Sequence, residues 1–213
     1  MTDAARPVVL QTMWRTGGTY LAFKLRERNP LAMFYEPLHE DYSDHTRAEF
    51  DACHEAGAEL IRRHPVKSFH YMTDYPFLPG GGVAGHRRDF AYHRFRLRRG
   101  DAHPALRAYL DGLVASAAAA GRRPLFKFCR AFLRQPWLEA TLDPVTIYLA
   151  RRPSGMRASY RSLGAGGYFY SGFLRALRLN RDEPILAPVY ERVAGEHPDF
   201  AAAGEALLEA EQF

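Results

Sequence analysis

Two short stretches of this chain hold residues suited to gripping phosphate-like anions. The first is Trp14-Arg15-Thr16-Gly17-Gly18-Thr19-Tyr20. The apolar run Val8 to Gln11 precedes it, and Leu21, Lys24, Leu25 and Arg28 follow at helical spacing. A loop between a buried strand and a helix start offers unpaired backbone N–H groups and the positive end of the helix dipole, so it binds anions. Gly17 and Gly18 let the backbone approach closely. Thr16 and Thr19 add hydroxyl donors, and Arg15 adds a permanent charge on a fork of donors. The loop is not of the Walker type, which needs Gly-Lys-Ser/Thr behind an earlier glycine. Gly18 runs directly into Thr19, and Thr12 or Met13 stands where the first glycine belongs. A tight turn that binds nothing is the alternative for this loop by itself.

The second stretch follows the apolar strand Val145 to Ala150 and reads Arg151-Arg152-Pro153-Ser154-Gly155-Met156-Arg157-Ala158-Ser159. Arg151 leaves the C-terminal edge of the predicted sheet, where ligands of open α/β folds sit. Ser159, eight residues later, falls one to two turns into the next helix and points back toward that edge. The pair would hold a dianionic phosphate by charge-assisted bonds. Read singly, they are a solvated strand-end arginine and a helix-surface serine.

Taken in order, the two stretches resemble the sulfotransferases that use 3′-phosphoadenosine-5′-phosphosulfate. In that family a Lys or Arg followed by Ser/Thr-Gly and small residues takes the 5′-phosphosulfate. Arg15 to Thr19 matches it, with arginine as in the carbohydrate-directed and bacterial branches. An arginine at a strand end and a serine eight positions on take the 3′-phosphate, as Arg151 and Ser159 would. The resemblance covers roughly residues 8–39 and 125–163. It departs in one respect: a further basic, glycine-containing segment near the family's C-terminus has no clear counterpart here. It implies a cofactor set of Arg15, Thr16, Gly17, Gly18, Thr19, Tyr20, Arg151 and Ser159, with no metal, and an acceptor hydroxyl on a carbohydrate or small metabolite.

Sulfuryl transfer asks for in-line placement, stabilised charge on the leaving phosphate, and a base for the acceptor's proton. Arg15 is the candidate for the leaving group. Lys127 could add a second charge, or be an edge lysine that snorkels to water. For the base, Glu36 and His39 stand in Phe34-Tyr35-Glu36-Pro37-Leu38-His39, a segment similar to a Glu-Pro-Leu stretch of the carbohydrate-directed branch. Partial burial would bring a carboxyl pKa toward working pH. The competing roles are a structural ion pair for Glu36 and turn stabilisation for His39. His70 and His86 are weaker candidates.

The elements that must position these groups read as an α/β fold: a three-layer sandwich with a central, mostly parallel sheet flanked by helices, in a P-loop NTPase-like topology. Strands are expected over 8–11, 31–35, 125–129 and 145–150. Helices are expected over 19–28, from a Ser43 cap to about His64, over 104–120 and 154–163, and from about Asp199. One domain spans 1–213. A loop-rich insertion or lid covers about 65–100, with Pro76, Pro79 and the glycines 80 to 82.

The chain has 213 residues, a formal charge of +5 and a pI near 9.3. These suit anionic ligands. Two cysteines, Cys53 and Cys129, lack disulfide or metal spacing and read as reduced thiols. No signal-like opening and no membrane-length apolar run are found, so a cytoplasmic protein is expected. A rival reading is a nucleic-acid-binding module. It rests on His86 to Arg99, where Arg87, Arg88, Arg94, Arg96, Arg98 and Arg99 interleave with Phe90, Tyr92 and Phe95. It leaves both strand-loop-helix motifs unexplained, so no nucleic-acid partner is expected. A third reading is a sulfotransferase-like protein that binds the nucleotide without turnover.

Overall fold

The computed structural model describes residues 6–56, 71–161 and 168–198. Its centre is a sheet of four parallel strands: β1 (Val8–Gln11), β2 (Leu31–Tyr35), β3 (Arg123–Phe128) and β4 (Val145–Tyr148). They lie in the order β2-β3-β1-β4. The registers place Val9 beside both Phe126 and Thr146, and Tyr35 beside Lys127.

Strands β1, β2 and β3 are buried almost throughout because both of their faces are covered, whereas β4, at the sheet edge, is half-buried with Tyr148 exposed. Alternation sorts their side chains. Val8, Leu10, Leu31, Met33 and Leu125 pack on one face with Ala22 and Phe23 of α1 (Gly18–Arg28). Val9, Ala32, Phe34, Phe126 and Phe128 face the other way. There they meet Leu106, Leu110 and Leu113 of α3 (Pro104–Ala119) and Trp137 and Leu138 of α4 (Gln135–Leu142). Helices on both faces of a parallel sheet make the three-layer α/β sandwich.

Local chemistry fixes the helix ends. Helix α2 (Arg47–Ala56) begins behind a capping box: Thr46 N–H donates to Glu49 Oε2 at 2.6 Å, and Glu49 N–H to Thr46 Oγ1 at 3.2 Å. Thr46, not Ser43, is therefore the cap; Ser43 closes a 3₁₀ turn, Glu40–Ser43. Helix α3 stops at Gly121, whose φ is +66°. Gly121 N–H bonds to Ala118 O and Arg122 N–H to Ala117 O, both at 2.9 Å, the arrangement a left-handed glycine permits.

Helix α4 had no counterpart in the sequence reading. Helix α5 (Pro153–Arg161) covers the helix expected at 154–163 as far as it is described, and α6 (Tyr168–Leu179) and α7 (Ala187–Glu196) follow. His70, the end of the helix expected to reach His64, residues 162–167 and the helix expected from Asp199 lie outside the described residues. Among the described residues no helix is long and apolar enough to cross a membrane.

The stretch from Tyr71 to Gly100 is loop-rich, as expected, but its aromatic side chains are core. Tyr75, Val83, Phe90 and Leu97 join the α3 face of the sheet. Tyr92 and Phe95 pack with Ala176 and Leu177 of α6. Arg134, in the 3₁₀ turn Phe132–Arg134, is fully buried and ties this stretch down by donating to the carbonyls of Phe90, His93 and Arg94.

Candidate active site at the C-terminal edge of the sheet

In a parallel sheet every strand ends on the same edge. The chain therefore delivers Met13 to Gly17 after β1, Glu36 to His39 after β2, Cys129 and Arg130 after β3, and Leu149 to Arg151 after β4 to one rim. The connection after β1 runs toward β2 and that after β3 toward β4, in opposite directions along the sheet. Such a reversal opens a crevice at the strand ends.

The first loop turns sharply. Arg15 and Gly17 both have left-handed backbones, with φ of +65° and +94°, and Gly17 is the N-cap of α1. Only glycine adopts that conformation freely. No side chain caps the helix, which leaves its first-turn N–H groups to other partners. Gly18 is needed for space: a Cβ there would lie 2.5 Å from Thr12 Cγ2. Thr12 is itself fixed, its N–H and its Oγ1 both donating to Phe128 O at 2.9 Å. Thr16 Oγ1 donates back to Met13 O at 2.7 Å, and Thr19 Oγ1 lies 2.9 Å from Tyr35 Oη. The Tyr20 ring is exposed beside Lys24.

The second stretch arrives at the same place. Arg15 Nε donates to Ser159 Oγ at 3.0 Å across 144 positions of sequence. Arg151 Nη1 donates to the carbonyl of Arg15 at 3.1 Å. Gly155 sits under the Arg151 guanidinium, where a Cβ would approach Nε to 3.0 Å. Arg15, Thr16, Gly17, Gly18, Arg151 and Ser159 are thus brought together at one rim.

Glu36 and Lys127 form a pair beneath that rim. Glu36 is 7% exposed and Lys127 2%. Lys127 Nζ donates to Glu36 Oε1 and, at 2.9 Å, to Cys129 Sγ. Glu36 Oε2 accepts from Cys129 N–H at 3.0 Å, and Glu36 N–H bonds to Lys127 O at 2.8 Å. Burial works to raise the Glu36 pKa, but the charges of Lys127 and Arg130 outweigh it and hold the carboxyl below its ordinary value. Burial would depress Lys127, yet Cys129 and Glu36 keep it well above the usual lysine value. Glu36 therefore takes the ion-pair role among those the sequence offered. Lys127 neither snorkels nor reaches out of the rim. Burial, then Glu36, push the Cys129 thiol up to about 12.

His39 lies at the margin of the cluster, with its side chain 17% exposed. Its Nδ1 accepts from Asp41 N–H at 3.4 Å and faces Glu40 Oε2 at 3.6 Å and Asp41 Oδ2 at 3.5 Å. Burial and then Arg130 lower its pKa, so the imidazole is neutral near pH 7. His86 is a core histidine instead. Its Nδ1 lies 2.9 Å from Ser43 Oγ among Tyr42, Phe90 and Tyr109, and burial, then His39, lower its pKa to about 4.

Arg130 and Glu40, which no sequence motif marked as site residues, complete the rim. Arg130, 7% exposed, leaves β3 and donates from Nη1 to Glu40 Oε2, while Tyr92 Oη donates to Glu40 Oε1. Burial raises the Glu40 pKa less than His39, Arg130 and Tyr92 lower it, and it falls to about 2. Arg130 stands directly after the strand expected over 125–129, as Arg151 does after that over 145–150, so the same strand-end signal marks it. Two surface depressions, around Arg99 with Trp137 and around Arg99 with Asp143, share no residue with these four loops. Neither family models, curated proteins nor solved structures yield a match to this chain.

Proposed function

We propose that the chain is a sulfotransferase that moves a sulfuryl group from 3′-phosphoadenosine-5′-phosphosulfate to a hydroxyl of a carbohydrate or small metabolite. One observation carries the reading. The Arg15 loop and the Arg151/Ser159 pair resemble the two anion grips of that family, and they lie in hydrogen-bonding contact at the C-terminal edge of neighbouring strands. A nucleotide with anionic groups on two sides of one sugar fits two grips so close together.

When bound, the donor supplies an activated sulfuryl group and a phosphate leaving group. The chain's own residues bind, orient and move a proton. Arg15 and the first N–H groups of α1 would meet the 5′ side, where their fixed dipoles oppose the charge that develops on the leaving oxygen. Arg151 and Ser159 would hold the 3′-phosphate. His39 is assigned the acceptor's proton. In the tautomer with its proton on Nδ1, turned to the nearby carboxylates of Glu40 and Asp41 in place of the Asp41 N–H, Nε2 would carry a lone pair for the hydroxyl. Glu36, with both carboxylate oxygens engaged, keeps Lys127 and the start of the loop after β2 in place.

The nucleic-acid reading loses its support. Phe90, Tyr92 and Phe95 are buried and offer no stacking platform. Arg87 pairs with Asp89, Arg88 with Asp44 and Arg96 with Glu183. A nucleotide binder without turnover would use the same grips. The test is a thermal melt with adenosine 3′,5′-bisphosphate, followed by transfer of labelled sulfate from the donor across a panel of acceptors. A raised Tm with transfer is expected. Neither binding nor transfer would sink the proposal, and binding without transfer would leave the non-catalytic reading.

A further inference from the structure

Beside the donor grips lies a polar cluster that holding the donor does not explain. The Arg130 guanidinium lies 5.9 Å from the Trp14 ring and 5.6 Å from the Tyr92 ring. Trp14 belongs to the donor loop, so the cluster adjoins it directly. Glu40 takes Arg130 on one oxygen and Tyr92 on the other, and His39 Nδ1 stands 3.6 Å from Glu40 Oε2. Five groups from four separate segments, the half-exposed Trp14 indole among them, thus gather around Arg130 and Glu40. Arg130 Nε–H is buried and has no hydrogen-bond partner among the described residues. A buried donor without an acceptor costs free energy and is uncommon in native proteins, so it points to a function.

The chemistry of the cluster limits what it accepts. Arg130 and Glu40 cancel each other's charge, and Arg175, 4.9 Å from the Tyr92 ring, is matched by Asp41, 3.5 Å from His39 Nδ1, which gives an anion no net attraction. The unmatched Nε–H seeks an oxygen, while Glu40 retains lone pairs for a donor. A hydroxyl both donates and accepts, and so answers both. A plain phenol or lipid has too few polar atoms to match a buried ion pair. The Trp14 ring offers a flat apolar surface for the C–H face of a ring-shaped polyol, in the manner of sites that combine aromatic walls with a few placed polar groups.

We infer that Arg130, Glu40, Tyr92 and Trp14 form the acceptor subsite, and that it takes a neutral polyhydroxylated molecule of the sugar class with one hydroxyl turned toward His39. The inference rests on the sulfuryl-transfer reading of the adjoining loop, of which it specifies the acceptor side. Its test does not depend on turnover. Saturation-transfer NMR with neutral methyl glycosides and maltose, with glucuronate and p-nitrophenol as contrasts, is recorded on the wild type, Arg130→Lys and Tyr92→Phe. The affinity for adenosine 3′,5′-bisphosphate is measured on the same three proteins. Saturation of at least one neutral glycoside is expected, weakened fivefold or more in both variants, with bisphosphate affinity unchanged within twofold. The subsite is overturned if no neutral glycoside is saturated, if glucuronate or p-nitrophenol binds more tightly, or if both variants bind the glycoside as the wild type does. Loss of bisphosphate affinity in step with glycoside affinity would also overturn it, since the cluster would then serve the donor. A wild type that binds glycoside and no bisphosphate would sink the donor reading and leave the polyol site standing.

Discussion

Arg15 donates from Nε to Ser159 Oγ at 3.0 Å. The loop after β1 and the helix after β4 meet there although 144 positions of sequence separate them. Arg151 fastens the junction through the Arg15 carbonyl. Because Arg15 and Ser159 touch, their contributions to ligand binding should not add. Arg15→Ala is expected to weaken adenosine 3′,5′-bisphosphate about 30-fold, on the order of 2 kcal/mol for a lost charge-assisted bond. Ser159→Ala should cost less, and the double variant less than the sum. Titration calorimetry on the four proteins measures the cycle, and strict additivity would disprove a shared site.

The Glu36–Lys127 pair is nearly without solvent. Glu36→Gln leaves a buried ammonium without its counter-charge and is expected to cost about 3 to 5 kcal/mol. Replacing both partners by apolar groups, Glu36→Leu with Lys127→Met, should restore most of that loss. Urea unfolding compares the three. If Glu36→Gln is as stable as the wild type, the pair has no such role.

Acid should destabilise the fold in two separable steps. The folded pKa of His86 is depressed from 6.5 to about 4, so its neutral form is fully favourable above pH 6.5 and that stability is lost as pH falls toward 4. The folded pKa of Glu40 is depressed from 4.5 to about 2, so its contribution is intact above 4.5 and lost as pH falls toward 2. Each step is on the order of 2 to 3 kcal/mol. His86→Gln should flatten the upper window and Glu40→Gln the lower, read from Tm against pH.

If His39 takes the acceptor's proton, His39→Gln should lower kcat by a hundredfold or more while bisphosphate affinity holds. The wild-type rate should fall on the acid side at a pH below 6.5, because burial lowers the His39 pKa. A pH–rate profile on wild type and variant decides, and an acid limb that survives in His39→Gln would assign the proton elsewhere.

Cys129 is 2% exposed, and burial pushes its thiol up to about 12. It should resist iodoacetamide at pH 8 in the native state and react only once urea unfolds the chain. Peptide mapping separates it from Cys53. Rapid native labelling at Cys129 would contradict the buried network around Lys127.

Much of this protein was decided within short stretches of sequence. The runs Val8 to Gln11 and Leu31 to Tyr35 became strands at those bounds, because an apolar run between turn signals has few other uses. The glycines at 17 and 18 marked a turn with a left-handed residue and a close contact, both of which are local requirements. The strand-then-helix frame that holds Arg151 and Ser159 was legible for the same reason. What the sequence could not decide was which of its polar residues would be buried together. Glu36 reads as a base when taken alone. It becomes an ion pair only because the parallel register sets Tyr35 beside Lys127 and brings the end of β3 against the turn after β2. Arg130 and Glu40 sit in unremarkable sequence, and Phe90, Tyr92 and Phe95 read as part of an arginine-aromatic stretch open to nucleic acid. Packing against α3 and α6 turned those rings inward and left the charges to find one another. Burial, and with it the direction of each pKa shift, depends on neighbours from distant segments, and the folded sheet alone supplied them.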